Sequence, residues 1–180
     1  MGDSLITIIA IALAAVLMFV FPLMTMSDRT DEVSQLTVET ATTEFVDDIT
    51  KTGKITLDKY DKFVQNISST GNSYDVEMEV KVLDENPGKK TTQAVSTKIG
   101  ENVYYSMYTS QILDTLSSDN ASQTKVLALK EGDIVSVSVK NTNTTLSQQL
   151  KSFFYSVTGN DTYTIAAEQA GIVTANGTGK

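Results

Sequence analysis

The chain has no cysteine and no histidine, and only two prolines in 180 residues. Without cysteine there is no disulfide staple, so stability must come from packing alone. Without either residue there can be no Ser-His-Asp triad, no Cys-His pair and no zinc site built from imidazole or thiolate. Basic residues are scarce too: 14 Lys and Arg stand against 22 Asp and Glu, for a net charge of −8. That balance argues against nucleic acid as a partner and against a surface drawn to anionic lipid. Glycine and proline are both missing between Pro22 and Gly53, so nothing there breaks a helix.

What is present is concentrated in the first 50 residues. An uncharged apolar run, Leu5 to Met26, passes directly into an acidic, amphipathic segment, Asp28 to Thr50. The run is about 22 residues, roughly 33 Å as a helix, and matches a hydrocarbon core of ~30 Å. It is expected to span a membrane over about residues 5–26. It is also expected to be retained. Met1 to Ser4 holds Asp3 and no Lys or Arg, and the end of the run, Phe21 to Met26, has no Ala-x-Ala cleavage site. The myristoylation pattern fails at Ile6. Flanking charge does not orient the span, because only Arg29 counts, beside Asp28, Asp31 and Glu32. The Thr-, Ser- and Asn-rich composition of the remainder places it outside the cytoplasm.

The polar continuation has helical spacing. Val33, Leu36, Thr40, Ala41, Phe45 and Ile49 predict a packed stripe, and Gly53 a stop just after Lys51. The predicted rod is about 45 residues and ~65 Å long. Three parts follow: residues 1–53 as the N-terminal helix with its amphipathic extension over 27–53, residues 54–174 as a head, and 175–180 as a free tail.

Within the head, Thr56 reads as the N-cap of a second helix with Asp58 in its first turn. Leu57, Tyr60, Phe63, Val64 and Ile67 form its apolar face, and Gly71-Asn72 ends it. The segment should fold back on the first helix. Tyr74 to Val82 alternates strictly between apolar and charged residues, as a half-buried strand does. Asn86-Pro87-Gly88 reads as a turn and Gln93 to Ile99 as a partner strand. Glu101 to Asn120 is ambiguous from its pattern: Tyr104, Tyr105 and Tyr108 followed by Ile112, Leu113 and Leu116 could be a helix, and the three tyrosines either a partner surface or a core edge. Val126 to Leu129 and Ile134 to Val139, around Glu131-Gly132-Asp133, predict a hairpin. Leu146 to Val157 predicts a short amphipathic helix, Gly159-Asn160 a turn, and Tyr163 to Val173 a last strand. The fold class is therefore α+β: a long N-terminal transmembrane-to-amphipathic helix packed on a small antiparallel sheet, with short helices.

Chemistry is sparse. Ser122 to Lys125 fits S-x-x-K, Ser118-Asp119-Asn120 fits S-D-N and Lys51-Thr52-Gly53 fits K-T-G, the set found in serine β-lactamases. Here the order is reversed, two members are adjacent, and the chain is too short for that fold, so no enzyme is expected. Asp47-Asp48, Asp58, Asp61 and Asp84-Glu85-Asn86 match no EF-hand spacing, and no metal or other cofactor is expected. Asn66, Asn120, Asn143, Asn160 and Asn176 lie in N-x-S/T patterns, which matter only if the host glycosylates. Thr7 is expected to hydrogen-bond its own backbone four residues back.

An uncharged apolar N-terminal helix, a proline near position 22, an amphipathic continuation to about residue 50 and a β-rich head resemble the type IV filament superfamily, the pilins and pseudopilins. The resemblance lies mainly in residues 1–53. If processing follows Gly2, Thr7 takes the fifth mature position, where the family usually has glutamate; the more variable Tad-type pseudopilins are then the nearer branch. The resemblance implies a structural subunit of a pilus or pseudopilus serving secretion or adhesion. Its partners would be copies of itself or other pilin-like subunits. It would sit in the membrane with an extracytoplasmic head, or in a filament at the cell surface. The residues expected to bundle are Leu5, Ile9, Ala12, Ala14, Val16, Phe19 and Pro22. The alternative is a single-pass anchored binding or sensor module, using the surface at Tyr104, Tyr105 and Tyr108.

Overall fold

The computed structural model describes residues 2–84, 104–117, 126–155 (backbone only at 153–155) and 164–177. The expected turn at 86–88, the strand at 93–99, the two motifs at 118–120 and 122–125, Val157, the turn at 159–160 and Tyr163 lie outside these residues.

One helix, α1, runs unbroken from Gly2 to Thr52 through Pro22, roughly 75 Å at 1.5 Å per residue. It ends where the sequence predicts. Gly53 adopts φ +63°, and its N–H donates to Ile49 O at 2.7 Å. The following elements are β1 (Lys54–Thr56), α2 (Leu57–Ser68), β2 (Tyr74–Leu83), β3 (Tyr104–Tyr108), α3 (Thr109–Ser117), β4 (Val126–Ala128), β5 (Ile134–Asn141), α4 (Leu146–Tyr155) and β6 (Ala166–Ile172). Thr56 caps α2, its hydroxyl accepting from Lys59 N at 3.3 Å. α2 folds back on α1, and Phe63 stacks on Phe45 with ring centroids 4.5 Å apart.

The main sheet has four antiparallel strands in the order β3-β2-β5-β6, and β1 pairs with β4 in a separate ribbon. Alternation sets its two faces. Val80 pairs with Val135, Met78 with Val137 and Val139 with Ala167, all buried toward the helices. Glu77, Glu79, Ser136, Ser138 and Glu168 lie on the outer face. The polar half of α1 covers the buried face, chiefly against β6 and β5. Gly171 of β6 permits that approach, because a Cβ there would lie 2.8 Å from Thr50 Cγ2.

Three expectations change, and one open reading is resolved. The packed stripe of α1 contains Ala41, Phe45 and Ile49 as predicted, but Val33, Leu36 and Thr40 face outward. Ser27, Ser34, Val38 and Thr42 are buried instead. Hydroxyls can occupy that stripe because they satisfy themselves: Ser34 donates to Thr30 O at 2.8 Å and Thr42 to Val38 O at 2.7 Å. The tyrosine segment is strand β3, and of the described residues there Thr109 to Ser117 are helical, with Ile112 and Leu116 fully buried. The predicted hairpin does not form, since β4 pairs with β1 and β5 with β2 and β6. Asp133 directs this split. Its buried carboxylate accepts from Lys130 N and Leu83 N, both at 2.8 Å, tying the turn to the end of β2.

The segment expected to be a free tail is stitched in as far as Gly177, whose N–H donates to Leu129 O at 2.8 Å. Thr174 N likewise donates to Thr50 O at 2.9 Å.

Candidate assembly surface

α1 has two halves with different surroundings. The second half supplies much of the core: Val38, Ala41, Phe45, Val46 and Ile49 are all buried. The first half contains a stretch long and apolar enough to cross a membrane, and none of that stretch is buried. Leu5, Ile9, Val16 and Phe19 are among the exposed large apolar residues. Dispersed single apolar residues are ordinary on a protein surface, but a continuous run of this length marks contact with lipid or protein.

The helix arranges the expected bundling residues by spacing. Leu5, Ile9, Ala12, Val16 and Phe19 recur at intervals of four and three and line one face. Ala14 falls on the opposite face, and Pro22 lies to the side. Pro22 has no N–H to offer the Met18 carbonyl, which weakens the helix there. A shallow hollow of about 650 Å³ runs along Leu17, Phe21, Pro22, Met26 and Arg29. Thr7 donates to Asp3 O at 2.7 Å, the backbone bond expected of it. Beyond the apolar run, exposed apolar residues continue at Val33, 65% exposed, and Leu36, 64% exposed, on the side turned away from the head.

Strand β3 divides the three tyrosines. It lies at one end of the described sheet order, with Tyr105 opposite Val82 and Tyr108 opposite Glu79. Alternation puts Tyr104 and Tyr108 on the outer face and Tyr105 on the other, so they do not form one patch. Tyr104 donates to Gly132 O at 3.5 Å. Tyr108 instead borders an open concavity of about 820 Å³ over the outer sheet face, with Glu77, Glu79, Ser138 and Glu168. Ser106 donates to Glu79 at 2.7 Å, and Lys81 Nζ lies 3.7 Å from the same carboxylate. The lining offers carboxylates and hydroxyls.

Three of the acidic residues noted in the sequence are paired at the surface. Asp47 meets Lys51 at 3.0 Å, Asp48 meets Lys59 at 2.6 Å and Asp58 meets Lys62 at 2.7 Å. Among the described residues no three His, Cys, Asp or Glu side chains converge to hold a metal ion. Of the β-lactamase-like set, Lys51-Thr52-Gly53 is the C-terminal end of α1.

Sequence reasoning missed several residues that place the head on the helix. Gln35 uses both ends of its amide on Ala166, donating to its carbonyl at 2.7 Å and accepting from its N–H at 3.0 Å. Asp28 accepts from the Ser147 hydroxyl and meets Lys151 Nζ at 2.6 Å. The bonds from Lys151 and Ser147 hold the Asp28 carboxyl below its ordinary value of 3.8, against the opposing effect of burial. Such pairs join positions 119 or more residues apart, and no local pattern announces them.

No family model, curated protein or solved structure matches this chain. Fold and surface define a class: an α+β head on a single long helix whose first half can cross a membrane.

Proposed function

We propose that this chain is a structural subunit of a pilus or pseudopilus, held in the membrane by α1 with its head outside the cytoplasm and assembled through that helix. The observation that supports this most is the division of α1. One unbroken helix serves as core of the head at one end and, among the described residues, leaves none of its apolar run buried at the other. A lone anchor needs only the span. A filament subunit also needs a rigid link between span and head, and here the link is the same helix. In such an assembly neighbouring helices pack by van der Waals contact, with Ala10, Ala12, Ala14 and Ala15 allowing close approach.

The test is electron microscopy of material sheared from cells expressing the chain, with N-terminal sequencing of the same protein. Regular thin fibres containing the chain are expected. Its absence from any fibre when all candidate pilin-like partners are co-expressed would count against the proposal. The second reading, an anchored binding module, draws on the concavity beside Tyr108. It requires a subunit that stays monomeric when extracted in detergent.

A further inference from the structure

α4 is the part of the head tied closest to the apolar span. Thr145, just before it, donates to Asp31 at 2.7 Å. Farther along, Ser147 and Lys151 both meet Asp28. As the chain advances from 145 to 151, its partners on α1 move back from Asp31 toward the membrane. Asp28 lies two residues past Met26, about 3 Å along the axis. α4 then continues from Lys151 to Tyr155, another ~6 Å. Further along the chain, Ala166 meets α1 at Gln35. So α4 descends beside α1, and its last turn reaches the level of the apolar run.

Two further observations agree. Within residues 5–26 only Val20 and Met24 are half-buried, and both share the side of α1 on which Ser27 is buried. That is the side of α1 on which the head is packed. In addition, Thr142 to Tyr155 contains no Asp or Glu, in a chain with 22 of them. Its last three residues are Phe153-Phe154-Tyr155, and aromatic residues favour the boundary between headgroups and acyl chains. Leu146, Gln149 and Ser152 are exposed along the helix. An acidic protein that set carboxylates against a bilayer would lose their hydration; this segment brings none.

We propose that α4 is an interfacial helix that seats the head on the phospholipid headgroup layer while the subunit is in the membrane. Its partner is the zwitterionic bilayer surface, and the Asp28–Lys151 pair fixes the helix at that height. This rests on the membrane-held state proposed above. It implies that a subunit leaving the membrane must first lift α4 from the interface.

The full chain, reconstituted in phosphatidylcholine vesicles, allows a direct test because it has no cysteine of its own. Three single variants, Leu13→Cys, Ser152→Cys and Lys62→Cys, would be labelled with a fluorophore and quenched by lipids spin-labelled at the headgroup or mid-chain. Lys62 is an exposed control on α2, next to the Phe63 that stacks on Phe45, some 28 Å along the helix from Met26. The expected result is mid-chain quenching at 13, headgroup quenching at 152 and none at 62. Quenching at 13 with none at 152 would overturn the interfacial helix and leave the span intact. Equal quenching at 152 and 62 would also overturn it. No quenching at 13 would remove the membrane-held state, and the interfacial helix with it.

Discussion

Gly53 and Gly171 both lie where two backbones come close, yet they should respond differently to a methyl group. At Gly53 an added Cβ would sit 2.4 Å from Ala175 O and 2.6 Å from Gly177 N, in a residue with φ +63°. Backbone cannot swing aside and the left-handed conformation is itself disfavoured, so Gly53→Ala should cost about 3 kcal/mol. At Gly171 the obstacle is the methyl of Thr50, and a small shift should hold the cost of Gly171→Ala to about 1 kcal/mol. Denaturant unfolding of the full chain in detergent checks the order; equal costs would mean the Gly53 turn is not rigid. Asp28 gives a pH prediction. Its folded pKa lies below its ordinary value because of Lys151 and Ser147. A depressed carboxylate contributes stability above its unfolded pKa, and loses it as pH falls through the folded value. The contribution should be complete above about pH 5 and fade below about pH 4. At neutral pH, Asp28→Asn should cost no more than about 1 kcal/mol, since the side chains of the pair remain partly exposed. Melting temperatures of both proteins from neutral to acid should converge as pH falls; a constant gap would contradict this linkage.

At the scale of elements, α1 is the informative case because its two faces do different work. Ile49 is fully buried against the sheet, and Ile49→Ala should cost about 3 kcal/mol. Leu36, about three and a half turns earlier and 64% exposed, should tolerate alanine within about 0.5 kcal/mol. Paired unfolding curves test this, and a large loss at Leu36 would mean that the head covers it in solution. That assignment of faces was only half legible in the sequence. Apolar periodicity located Ala41, Phe45 and Ile49 but took Val33 and Leu36 with them. It could not know that Ser34 and Thr42 return their hydroxyls to the helix backbone and so pack as small, nearly apolar groups. Tyr74 to Val82 and the Thr56 cap were plain, because alternation and capping are local signals. β3 was not, since aromatic residues three and four apart suit a helix as well as a strand until a partner strand decides. The missing hairpin has the same origin: its turn was correctly placed, but Asp133 takes a partner on β2, about 50 residues away. Of the candidate surface, the apolar run was fully legible, whereas the roles of Asp28 and Gln35 depend on tertiary placement.

For the whole molecule, the question is whether the free side of α1 is a contact surface or merely exposed. The two cases separate because assembly and folding draw on different residues. Val33 and Leu36 are exposed apolar residues above the expected span, where lipid does not cover them. A neighbouring helix would. Leu36→Glu should leave the unfolding of the head within about 0.5 kcal/mol of the parent chain, because the side chain touches little of its own fold. The same change should lower self-association of the detergent-extracted chain, since burying a carboxylate in an apolar contact is costly unless it is paired. Ala14→Leu, within the run, should disturb assembly for a steric reason and again spare the head. Ile49→Ala should do the reverse, weakening the head while leaving the free side of α1 untouched. Analytical ultracentrifugation and unfolding of all three variants give a pattern rather than a single value. If Leu36→Glu and Ala14→Leu associate as the parent does, close packing of α1 against other copies is excluded at both heights, and the long helix would be a stalk for a solitary head.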